Sequence, residues 1–147
     1  MVKSILGVII GYIVMAIFAF AIFTCAYLGL GVDRVFEPES YNVSTIWIVI
    51  MIAIALIGGI LGGLVCAAIS KSKGACMVFA GIVLALGLIV AVPQAMKEHT
   101  ATARSGDVPN LSAMQMAQTP TWLLVLNPVL GAVGVMLGAR MKKLPTA

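Results

Sequence analysis

The chain has 147 residues, 62% of them hydrophobic and only 10% charged, with a mean hydropathy of +1.15. A water-solvated domain carries about a quarter of its residues as charges, so a soluble globule is excluded and hydrocarbon is the expected solvent. Nine Lys and Arg against five Asp and Glu leave a net charge of +4. The basic residues stand at the ends of apolar stretches and form no patch, which points to topology signals and contacts with anionic lipid, and away from nucleic acid.

The first uncharged run, Ser4–Leu30, predicts a transmembrane helix over about 4–30. It is about twice the length of a signal-peptide core and further apolar segments follow, so it is expected to be retained. Gly7 and Gly11 form a GxxxG pair, and Gly29 and Gly31 suit its close. An outer loop over 31–43 follows. Its Asp33, Arg34, Glu37 and Glu39 lack the ordered spacing of a calcium loop, so it is expected to be solvated.

The second span, about 44–70, is expected to be capped by Ser44 and anchored by Trp47. It carries two small-residue rows. One is Ala55, Gly59, Gly63 and Ala67, the other Gly58, Gly62, Cys66 and Ser70. At about 100° per residue these rows adjoin, giving the widest small face in the chain and placing this helix at the centre. Lys71–Gly74 is an inner turn. The third span, about 75–96, has Gly74, Gly81 and Ala85 on one stripe, with Pro93 ending or kinking it.

The loop over 97–119 is expected to hold a short helix over 111–118, capped by Asn110, with Leu111 and Met114 sharing a face. Thr119 and Pro120 then read as N-cap and first helical residue of a fourth span, about 120–140, with Trp122 at its outer interface. Asn127, Gly131, Gly134 and Gly138 project within an arc of about 60°. Residues 141–147 form a tail.

Lys3, Lys71, Lys73, Arg140, Lys142 and Lys143 fall on one side of these spans. Arg34, Lys97 and Arg104 fall on the other with all the acids, Asp33, Glu37, Glu39, Glu98 and Asp107. The basic side is expected to face the cytoplasm, with Tyr27 and Tyr41 joining the two tryptophans in an outer aromatic belt. The expected fold is an all-α, antiparallel four-transmembrane-helix bundle in the cell inner membrane, with both termini cytoplasmic. Gly62, Lys71 and Lys73 match Gly131, Arg140 and Lys142 in spacing. A duplicated hairpin would explain this, but so would convergence, because any helix ending at a charged face collects such residues.

Chemistry is sparse. The uncharged runs at the heart of these spans, Ser4–Leu30, Thr45–Ser70, Gly74–Met96 and Thr121–Ala139, hold no acidic, basic or histidine side chain, which argues against proton coupling and ion conduction. Cys25, Cys66 and Cys76 form no CxxC pair and read as small apolar residues. Asn127–Pro128 is the one polar, helix-breaking step within a span, expected to serve as kink and interhelical glue before any gating role. Met96, His99, Met114 and Met116 have the soft donors of an outer-face Cu(I) site, a minor expectation in a chain with nine methionines. The lone His99 near Ser105 and Ser112 makes no catalytic triad, so no enzyme and no cofactor are expected. The leading functional expectation is an accessory or scaffold subunit working through helix contacts with a partner membrane protein or further copies of itself. The alternative is a transporter or channel-like protein for a small neutral solute.

Overall fold

The computed structural model describes residues 1–96 and 110–142, and it is helical almost throughout. The elements are α1 (Val2–Leu30), α2 (Val32–Val35), α3 (Thr45–Ser70), α4 (Lys73–Ala95), α5 (Asn110–Gln115) and α6 (Thr121–Met141). Four of these, α1, α3, α4 and α6, are long and apolar enough to cross a membrane. Among the described residues, extended pairing is limited to two isolated bridges, Phe36 with Val43 and Asn42 with Gln118.

The boundaries follow local chemistry. α1 ends where Gly31 takes a φ of 70°, open to glycine without penalty. Ser44 caps α3, its Oγ accepting from the Trp47 N–H at 3.3 Å and donating to the Arg34 carbonyl at 2.6 Å. Replacing Ser44 with alanine should therefore cost about 1–2 kcal/mol, read as a shift in detergent-induced unfolding. An unshifted midpoint would show both bonds to be idle. The α3–α4 connection is tighter than the expected four-residue turn. Only Lys71 and Ser72 intervene, Lys71 in the left-handed region at φ 50° and Ser72 capping α4.

Proline departs from expectation at one place, the start of α6. Pro93 lies inside α4, which continues to Ala95. Pro120, and not Thr119, is the N-cap of α6, its carbonyl accepting from the Leu123 and Leu124 N–H groups. The short helix begins at Asn110 and ends at Gln115, three residues before its expected end.

The long helices pack in the order α1, α3, α6, α4, and α3 and α6 share the most extensive contact. Glycine decides how close they come. A methyl group on Gly11 would lie 2.8 Å from the Gly62 carbonyl oxygen, and one on Gly62 would lie 2.9 Å from that of Gly11. Gly7 meets the Cys66 carbonyl in the same way. Between α3 and α6 the backbones touch. A side chain on Gly59, Gly63 or Gly138 would run into the carbonyl of Gly131, Val135 or Ile60 respectively, and Gly134 sits against Gly59. Gly58 faces the Phe18 ring, and Gly131 faces Val83 and Met15.

Gly81 departs from this pattern. It is exposed, with nothing within 4 Å of where its Cβ would be. The close-approach glycine of α4 is Gly87, which lies 2.6 Å from Pro128 by the same measure. The row that faces inward holds Cys76, Ala80, Gly87 and Ala91, spaced within about 60° of arc; the expected stripe of Gly74, Gly81 and Ala85 points elsewhere.

Burial is inverted relative to a water-soluble protein. In α1 the buried residues are Gly7, Gly11 and Tyr27, while Ile5, Ile9, Ile13, Ile17 and Phe20 are exposed. One core, around Cys66, Phe79, Val83 and Val135, fills the half of the bundle that ends in basic residues. A second lies at the other end and corrects the expectation for the first loop. Val35, Phe36, Tyr41 and Val43 are buried there with Tyr27 and Trp47. Residues 31–43 are thus a folded cap. The Val43 N–H donates to the Gln118 carbonyl at 3.2 Å, and the Gln118 N–H donates to the Tyr41 carbonyl at 2.9 Å, tying the cap to the segment before α6.

Candidate functional site: a cavity beneath the cap

Trp47, expected as an interface anchor, is covered by protein. It is 6% exposed and stands inside the cap, its ring centroid 5.7 Å from that of Phe23 and 5.9 Å from that of Tyr27. Tyr27 and Tyr41 are likewise buried. Trp122, at the start of α6, is 55% exposed and does face outward. The difference lies in α1. Its last two turns, carrying Phe23 and Tyr27, lie against the first turn of α3 and cover the indole.

These rings form one wall of a cavity of about 570 Å³ under the cap. The opposite wall is polar, with Gln94 from the end of α4 and Gln115, Gln118 and Thr119 from the segment around and after α5. A second cavity, of about 660 Å³, lies deeper, among all four long helices. The two adjoin, with Phe23, Met51, Gln94 and Leu124 lining both. Each volume is typical of a small-molecule site. The deeper cavity occupies the seam where α1 and α4 touch only sparsely.

The walls of the deeper cavity are almost wholly apolar: Tyr12 and Met15 from α1, Ala55 from α3, Val83 from α4. Its distinctive group is Asn127 of α6, whose Oδ1 is buried without a hydrogen-bond partner. A buried acceptor left unpaired costs about 1–3 kcal/mol. Asn127 was expected to act as glue, bonding a carbonyl of its own helix or a neighbouring one. Its Oδ1 accepts no hydrogen bond and is itself shut off from open space. Its neighbour Pro128 is buried against Gly87, and α6 continues through it.

Toward the basic end the space closes. Phe79, Val135 and Cys66 are fully buried, and the Cys66 and Cys76 sulfurs lie 3.8 Å apart in the same core. The arrangement is a cleft, open along the side between α1 and α4, where Tyr12, Leu86 and Ile89 are exposed, and closed at the basic half.

Of the four copper donors, the described residues include the side chains of Met96 and Met116. Met96 and Met116 are 79% and 52% exposed. His99 and the Met114 side chain lie outside the described residues, as do Lys97, Glu98, Arg104, Asp107 and Lys143. Among the described residues no group of three His, Cys, Asp or Glu side chains is placed to hold a metal. Sequence reasoning missed Phe23, Gln94 and Gly87. Gln94 carried a usable signal: it is a polar residue one step after Pro93, within a helical turn that the preceding apolar run continues.

No family model, no curated protein and no solved structure matches this chain.

Proposed function

We propose that the chain is a non-enzymatic, multi-pass protein of the cell inner membrane that binds a small, neutral, mainly apolar solute in the cavity beneath its cap. The four long helices form an antiparallel bundle. Both termini and the basic end face the cytoplasm, and the cap faces outward. The exposed isoleucines and buried glycines of α1 support a hydrocarbon surround, since helices in lipid associate through close backbone approach and not through burying oil.

The observation that carries the solute reading is the pair of adjoining cavities, aromatic and polar at the cap and almost wholly apolar below, with Asn127 among the lining residues. Among the described residues, no Asp, Glu, Lys, Arg or His side chain lines either cavity, which favours a neutral occupant. The sealed basic half favours binding or carrier-like exchange over an open channel.

Trp47 supplies the test. With Trp122 replaced by phenylalanine, Trp47 is the sole tryptophan and reports on the upper cavity. Titrating the variant in detergent with 2,2,2-trichloroethanol, a small neutral quencher, should give saturable quenching that Ala55→Phe, which fills the deeper cavity, weakens. Strictly linear quenching, indifferent to Ala55→Phe, would sink the proposal.

The accessory-subunit reading keeps one foothold. Gly74, Gly81 and Ala85 are exposed on α4, and Gly81 has no neighbour. Native mass measurement in mild detergent separates the two readings. A monomer that binds solute supports the first, and a stable dimer or a co-purifying membrane protein supports the second.

A further inference from the structure

A third pocket lies at the basic end, in the groove between α4 and α6. It has a volume of about 610 Å³. Its apolar floor is made by Cys76, Met77, Met136 and Ala139, and its charged rim by Lys73, Arg140 and Lys142. Cys76 and Ala139 are buried, while Met77 and Met136 are 66% and 41% exposed. The result is an apolar trough along the side of the helix pair with three cations gathered at one end.

Among the described residues nothing acidic balances that charge. The acids among the described residues, Asp33, Glu37 and Glu39, all belong to the cap at the far end of the molecule. The start of α4 adds to the field. Ser72 occupies the Ala75 N–H at 3.4 Å, and the next residue but one is Gly74, beside which only the Ser72 Oγ comes within 4 Å. The positive end of this 23-residue helix lies next to Lys73 and adds to the field there.

We propose that this groove binds an anionic phospholipid. The phosphate sits among Lys73, Arg140 and Lys142, and one acyl chain lies along Met77 and Met136. A free phosphate would use the cations but leave the trough empty. A zwitterionic lipid would bring its own ammonium into a field with no acid to offset it. Basic pockets between helices on the cytoplasmic side are suited to anionic headgroups for this reason. The inference rests on the membrane placement proposed above and is independent of the solute cavity.

The test is native mass spectrometry of the full chain in mild detergent, with equimolar phosphatidylglycerol and phosphatidylcholine. Phosphatidylglycerol should be retained preferentially. The variant K73Q/R140Q/K142Q should lower that retention at least about tenfold, since each removed cation attracts an anionic headgroup. K3Q/K71Q, which removes charge at the same end but outside the groove, should leave retention unchanged. Equal retention of both lipids, equal loss in both variants, or displacement by millimolar inorganic phosphate would each overturn the proposal. Should the triple variant lose its helical circular dichroism, R140Q alone, at an exposed side chain, carries the same comparison. A chain that stays soluble once detergent is removed fails the membrane reading itself. One that needs detergent but retains both lipids equally fails only the lipid site.

Discussion

Gly63→Ala should destabilise the fold by about 3 kcal/mol or more, the upper part of the range for overpacking, whereas Gly81→Ala should change it by no more than about 0.5 kcal/mol. Both substitutions add one methyl group to a glycine in a long apolar helix, so propensity and hydropathy predict equal outcomes. The contacts do not. A Cβ on Gly63 would run into the Val135 carbonyl, which is backbone and cannot rotate away, while Gly81 has nothing within 4 Å. Relief at Gly63 requires α3 and α6 to separate, and their separation would undo the contacts of Gly59, Gly134 and Gly138 together. A total stability of about 5–15 kcal/mol leaves little margin for such a loss. Equilibrium unfolding in mixed micelles of rising dodecyl sulfate content, followed by circular dichroism, measures both. Equal midpoints for the two variants would show that the close α3–α6 approach is absent.

The second large effect is a gain of stability bought with function. Asn127→Leu keeps the number and branching of the side-chain heavy atoms and removes the buried Oδ1 that has no partner. The fold should become more stable by about 1–2 kcal/mol, the cost of leaving such an acceptor unpaired. Saturable quenching of Trp47 should weaken in parallel if an occupant's donor engages that oxygen. A destabilised Asn127→Leu protein would mean that the amide has a structural partner, and the cavity would lose its one specific contact. Stabilisation together with undiminished binding would leave the cavity intact but show that its occupant is held by apolar contact alone.

Much of the architecture was legible because it follows from quantities the sequence displays directly. Uncharged runs of about 20 residues or more can be helices in hydrocarbon, and the four such runs correspond to α1, α3, α4 and α6. The small faces of α3 were also legible, since glycine is informative wherever backbones must touch. What failed was the choice between similar rows. In α4, Gly81 and Gly87 are equally small, and only the position of Pro128 on another helix selects Gly87.

The candidate site was less visible, for a different reason. Residues 31–43 mix Asp33, Glu37 and Glu39 with Val35, Phe36 and Val43, and the charges suggested a solvated loop. The apolar members alternate with the acids and turn inward on Tyr27 and Trp47, where no local pattern could place them. Trp47 followed the general rule that tryptophan marks a membrane interface. The rule does not see that α1 is long enough, at 29 residues or about 43 Å, to lay Phe23 and Tyr27 over that indole. Asn127 stood out in the sequence as a polar residue, but its unused acceptor is a property of the space around it.

The glycine contact between α3 and α6 also governs how the molecule can move. Main chain resting on main chain offers no rotamers to exchange, so these two helices travel as a single stiff keel. The cap is fastened to the same keel, at Ser44 by hydrogen bonds through Arg34 and Val35 and at Gln118 by those of Tyr41 and Val43. The compliant seam is where α1 meets α4, joined there by side chains that can swing. On the proposed solute reading, exchange of an occupant would fall to these two outer staves, parting sideways toward the surrounding acyl chains, while the keel and its lid hold still.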